Sequence, residues 1–181
     1  MSKFRWSTMK VYVTGMKGGT GKTLVALYML FKFKQMGFRV DFKDLTENMT
    51  GKNYLEGRGF RRDPKPELVI YDMRPSGVDN SQDVTVLVTE VPFLPLETLR
   101  VVGKKILVLN KMSPFPDKFM EQVDVVKGLV PNFDSVVLVP FNGGLFNWEL
   151  QREPALDKLA LIVAGKSQER LVFPFVEKFD S

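Results

Sequence analysis

The stretch Gly15-Met-Lys-Gly-Gly-Thr-Gly-Lys-Thr23 holds the residues with the most specific chemistry. It ends in G-K-T like the phosphate loop G-x-x-x-x-G-K-[ST], with Met16 where that motif has its first glycine, and it suits the binding of a nucleoside triphosphate. Glycines let successive backbone amides turn inwards around phosphate oxygens, because they lack the Cβ that forbids such turns. A helix starting directly after the loop adds the partial positive charge of its amino terminus. Lys22 places an ammonium on the β- and γ-phosphates, and the Thr23 hydroxyl suits Mg2+. The predicted cofactors are ATP or ADP with Mg2+.

Other chemistries are absent from the composition. With no cysteine and no histidine, thiolate nucleophiles, disulfides, iron–sulfur clusters and Cys/His zinc sites are excluded. Histidine general-base catalysis is excluded as well. What remains is carboxylates, hydroxyls, backbone amides, Lys/Arg and a hard cation.

A phosphate loop must be held between a strand and a helix, and the chain supplies both. Residues 10–14 (KVYVT) are β-branched and aromatic and enter the glycine turn directly, so they read as a strand. Residues 22–36 carry apolar side chains at helical spacing, ended by Gly37. Residues 39–43 alternate, which predicts a strand with one wetter face near a sheet edge. Further strands are expected at 68–71, 84–88, 106–109 and 136–139, and helices at 53–57, 96–102, 117–129 and 154–165. The apolar tail at 171–179, interrupted by Pro174, is expected to pack on the body. Alternation of strands and helices predicts an α/β fold, a doubly wound and mostly parallel sheet flanked by helices. Such sheets bind ligands at the carboxyl ends of their strands. At 181 residues, with no internal repeat or low-complexity linker, residues 1–181 read as one P-loop domain.

The string Lys17-Gly18-Gly19-Thr20-Gly21-Lys22-Thr23 resembles the deviant Walker A signature of the ParA/MinD superfamily of P-loop ATPases. The resemblance continues through Asp72-Met-Arg-Pro75-Ser-Gly77, through the strand ending near Pro92, through Asn110-Lys111, and through Pro140-Phe-Asn142. It implies that Lys17 reaches the partner's phosphates across an ATP-bound homodimer. It also implies that Asp72 serves the Mg2+ shell with Thr23, and that Asn110, Pro140 and Asn142 surround the base. The family's D-x-D-P after the second strand is matched at Asp44, but Thr46 stands where the second aspartate belongs. Asp44 or Glu47 then takes over the orientation of the attacking water, or hydrolysis is slow.

Composition separates branches of the superfamily. Nitrogenase-type reductases, iron–sulfur scaffold ATPases and tail-anchored-protein targeting ATPases rely on cysteines. The four tyrosines end at Tyr71, unlike the tyrosine-rich tail of the bacterial tyrosine kinases. Residues 1–65 hold fourteen Lys/Arg against five acids, within a chain of net charge +5. That asymmetry fits either a nucleic-acid face or a solvated surface with phosphate-binding lysines. Arg58, Arg61, Arg62 and Lys65 are the clustered basic candidates. The resemblance therefore implies a slow, ParA-like segregation ATPase that binds DNA non-specifically and answers to a ParB-like centromere-binding activator. A MinD-like positioning ATPase and a metabolic P-loop enzyme are the alternatives. The opening MSKFRWSTMK has no apolar signal stretch, and no run reaches the length of about 18 apolar residues that suggests a spanning helix. A cytoplasmic protein without stable membrane insertion is expected.

Overall fold

The computed structural model describes residues 7–15, 19–74, 81–91, 103–146 and 150–173. Strand β1 (Met9–Thr14) runs into the loop, helix α1 (Lys22–Gln35) follows it, and β2 (Val40–Asp44) returns beside the sheet. Then come α2 (Thr50–Glu56), β3 (Leu68–Asp72), β4 (Val84–Thr89), β5 (Lys104–Met112) and α3 (Pro116–Val126). The chain continues through a 3-10 turn (Lys127–Asn132), β6 (Ser135–Pro140), α4 (Gly143–Phe146), α5 (Pro154–Val163) and β7 (Leu171–Val172). The strands form one parallel sheet in the order β2-β3-β1-β4-β5-β6-β7. The doubly wound α/β expectation holds.

Alternation along each central strand splits the core in two. Val86, Val88, Ile106, Val108, Val137 and Val139 face a cluster shared with α1 and α5. Leu87, Leu107, Leu109, Val136 and Leu138 face a second cluster built with Phe119, Val123 and Val126 of α3. Strands buried on both faces must be mostly apolar on both, which is why these segments read as near-continuous apolar runs. β2 is one edge of the sheet, as its alternation suggested, with Lys43 exposed on its wetter face, although Asp41 on the same face is buried. Connections leave β1 towards β2 on one side, while β4 and its successors lie on the other. The reversal places the end of β1 at the crevice where such sheets bind ligands.

Several boundaries differ from the sequence expectation for local reasons. The helix expected over 117–129 ends as α-helix at Val126 and tightens into the 3-10 turn, which contains Pro131. Proline lacks the N–H that an α-helix would need there. The tail contributes β7, which pairs with β6, and Phe173 packs edge-on to Phe119. α4 had no sequence signal. The helix expected over 96–102, together with Lys17, Gly18, Gly77 and Pro92, lies outside the described residues.

Candidate functional site

Where β1 ends, Gly15 passes so close to its neighbours that a Cβ would lie 2.5 Å from the Val88 carbonyl and 3.1 Å from Lys22 Cδ. Only glycine allows that approach. Gly21 caps α1 with φ at 91°, a left-handed conformation that strains any side-chain-bearing residue. Lys22 and Thr23 thus open α1 on the side of the strand ends. Lys22 is buried, 7% exposed, and burial lowers the pKa of its amine, while the Asp72 carboxylate acts in the opposite sense. A phosphate dianion beside it would favour the ammonium, since opposite charge favours the charged form.

Asp72 closes β3 directly beside β1 and is completely buried. Thr23 Oγ1 donates to its Oδ2 at 2.7 Å. Its Oδ1 is buried with no hydrogen-bond partner among the described residues. Buried carboxylate oxygens are nearly always satisfied, so this oxygen fits a cation or a cation-bound water. Among the described residues no three His, Cys, Asp or Glu gather to hold a metal on their own. Thr23 and Asp72 with nucleotide oxygens match the way Mg2+ is usually held, by one or two protein groups plus phosphates and water. Bound there, Mg2+ would neutralise charge on the phosphates.

Burial raises the Asp72 pKa to about 6, the Thr23 hydrogen bond opposes this, nearby Asp44 adds to it and Lys22 opposes it. The unfolded value is near 3.8, so between pH 4 and 6 the folded state holds more protons than the unfolded one. Stability of the metal-free protein therefore falls as pH rises through that window, by up to about 3 kcal/mol at pH 7. Urea titrations in EDTA at pH 4.5 and 7 check this. Asp72→Asn should flatten the slope, and a wild-type midpoint that follows the variant's across this window would refute it.

Asp44 ends β2 opposite Asp72 in the parallel register. Its Oδ1 accepts from the Thr46 amide and the Thr46 hydroxyl, and its Oδ2 accepts from the Lys52 amide in the first turn of α2. Thr46 and Glu47 line a cavity of ≈ 430 Å3 with Lys22, Thr23 and Arg74. A second cavity, of ≈ 420 Å3, lies across the loop between Gly19, Gly21, Lys22, Asn110, Lys111, Phe141, Asn142, Leu145 and Leu156. Pro140 ends β6 and introduces this wall. The apolar part suits a base, and the glycine side suits phosphates.

The structure brings together Gly19, Thr20, Gly21, Lys22, Thr23 and Asp72, with Asn110 and Asn142 on the rim of the second cavity. Both amides are committed to protein. Asn110 Nδ2 donates to the Thr20 carbonyl at 2.9 Å. Asn142 Nδ2 donates to Glu153, and its Oδ1 accepts from the Gly144 amide. Sequence reasoning missed Phe141, Leu145 and Leu156 as wall residues, and it missed Glu153. Buried Glu153 accepts from the Ala155 amide at the start of α5, and its own amide donates to the Tyr28 hydroxyl on α1. Glu153-Pro154 is the one available signal, since proline favours the first helical position.

No protein-family model and no curated protein sequence matches the chain. Solved structures match its fold. A proposed plasmid partition protein of Borrelia burgdorferi B31, bound to AMPPNP, superposes with a TM-score of 0.65 over 96% of this chain and 100% of its own, at 11% identity. McdA of Cyanothece in complex with ATP gives 0.62 over 89% and 98%, at 13% identity. A chain of the MinC:MinD cell-division complex of Aquifex aeolicus gives 0.58 over 88% and 97%, at 14% identity. The chain therefore has the fold of the ParA/MinD-type P-loop ATPases.

Proposed function

We propose that this chain is a slow ATPase in which ATP drives dimerisation, and that the dimer binds DNA without sequence preference in the manner of ParA proteins. One observation carries the reading. A glycine loop opens α1 with Lys22 and Thr23, and Thr23 is bonded to an aspartate whose other oxygen lacks a partner among the described residues. That arrangement suits Mg2+-nucleotide phosphates and little else. The fold matches include proteins solved with AMPPNP and with ATP, which supports the choice of nucleotide.

The finer parts rest on the sequence resemblance. Lys17 acts in trans on the partner's phosphates, the basic amino-terminal half faces DNA, and a ParB-like protein stimulates hydrolysis. Dimerisation brings two basic halves together, so binding strengthens with ATP and weakens steeply with salt as counterions are released. No helix among the described residues is long and apolar enough to cross a membrane.

The test combines sedimentation with gel-shift titration. Wild type with ATP should sediment as a dimer and retain random-sequence duplex, losing at least about tenfold in affinity between 50 and 200 mM salt. Lys17→Ala should bind ATP yet remain a monomer. No duplex binding with ATP at low salt, together with retention on anionic liposomes, would favour a MinD-like activity instead.

A further inference from the structure

Two consecutive side chains at the end of β5 reach the same phosphate loop. A regular strand forbids this, because neighbouring residues face opposite sides of the sheet. The backbone shows how it is done. β5 loses register with β6 between Leu109 and Met112, and Lys111 adopts a left-handed conformation with φ at 55°. Such a conformation is uncommon for a lysine and persists only where its surroundings enforce it.

The enforcement is visible. Lys111 Nζ donates to the Gly19 carbonyl at 2.7 Å, while Asn110 Nδ2 takes the next carbonyl, that of Thr20. Glu90, immediately after β4, pairs with the Lys111 ammonium at 2.8 Å and seats it. In a trans peptide the carbonyl and the following N–H point opposite ways. Holding the Gly19 and Thr20 carbonyls against β5 therefore turns the amides of Thr20 and Gly21 the other way. Gly19 and Gly21 have φ of 78° and 91°, the kind of turn in which successive amides form an anion nest. A Cβ on Gly21 would collide with Asn110 Nδ2, so the clamp and the loop's glycine fit each other.

We propose that Asn110 and Lys111 form a carbonyl clamp that holds the phosphate loop in its ligand-ready shape before nucleotide arrives. Lys111, seated by Glu90, is a positioning residue in this scheme and not a phosphate ligand. The proposal rests on the reading of the loop as a nucleotide site. A preformed loop raises apparent affinity by keeping the competent population high, and loss of the clamp lowers that population. The loss then appears in the association rate, because the bound loop is shaped by the phosphates themselves.

Stopped-flow binding of a fluorescent ADP analogue with Mg2+ tests this, alongside urea midpoints of the ligand-free proteins. Lys111→Met should slow association about tenfold and change dissociation by no more than about twofold. Lys111→Arg should recover most of the rate, and Glu90→Gln should slow association about threefold. Lys111→Gly removes the ammonium and the backbone strain together, so association should fall while the urea midpoint holds or rises. A merely structural lysine would not produce that split. Unchanged association in Lys111→Met and Lys111→Gly would overturn the clamp while leaving the nucleotide site intact. Faster dissociation at unchanged association would overturn it by making Lys111 a direct phosphate ligand. Failure of the wild type to bind the analogue would overturn the site reading, and the clamp with it.

Discussion

Lys22→Ala should lose about 100-fold in affinity for Mg2+-ATP, on the scale of the 2–3 kcal/mol that a charge-assisted hydrogen bond contributes. The geometry sharpens the expectation. Lys22 opens α1, lines both cavities around the loop and is 7% exposed, so its amine has little water to fall back on. Burial already pulls its pKa down in the empty site. Burial opposes the charged amine and offsets its attraction to Asp72, so truncation should move the ligand-free urea midpoint far less than it moves ATP affinity. Function and stability would then part company at this residue, whose ammonium gains most from the phosphates it meets. Calorimetric titration with ATP and urea melts of the empty protein check both halves. Unchanged ATP affinity would sink the loop assignment. A large drop in midpoint would instead make Lys22 a structural residue.

The legible and illegible parts of this molecule divide on physical grounds. The loop was readable because Gly15 and Gly21 occupy places that no side chain can enter without collision. The central strands were readable because burial on both faces favours apolar residues at most positions, as in Leu68–Asp72 and Val84–Thr89. Asp72 stood out as the charge ending such a run, and the structure makes it the buried partner of Thr23. By contrast, β7 is two residues long and α4 is four, too short for any period to show. The binding of Lys111 to the loop depends on a single left-handed residue, and nothing about a lysine announces one. Asn142 reaches Glu153, 11 residues on, and Glu153 is tied to Tyr28, 125 residues back, through the folding of α4 and α5 onto α1. Such long-range pairings leave no trace in local spacing.

Asp44→Ala should cut ATP hydrolysis about 100-fold while ATP binding survives, because a misplaced catalytic loop costs rate on that scale. The reason lies in what the carboxylate holds. It takes the amide and hydroxyl of Thr46 and the Lys52 amide, so it fixes both the turn after β2 and the start of α2. That turn presents Thr46 and Glu47 to the cavity beside Lys22 and Thr23, where water would attack a γ-phosphate. On this reading Asp44 would act through the turn, and Glu47, which lines that cavity, would be the carboxylate that orients water. Restoring an acid by Thr46→Asp should not raise the rate. The new carboxylate would sit against Asp44, whose Oδ1 now accepts from the Thr46 hydroxyl, and two adjacent anions repel. Single-turnover hydrolysis separates these roles. Glu47→Gln should lose about tenfold or more with the fold intact, as general-base losses of 10²–10⁴ are typical. Asp44→Asn keeps one oxygen acceptor and should retain more activity than Asp44→Ala. A gain in Thr46→Asp, with Glu47→Gln unaffected, would show that water is oriented from position 46 and not from Glu47.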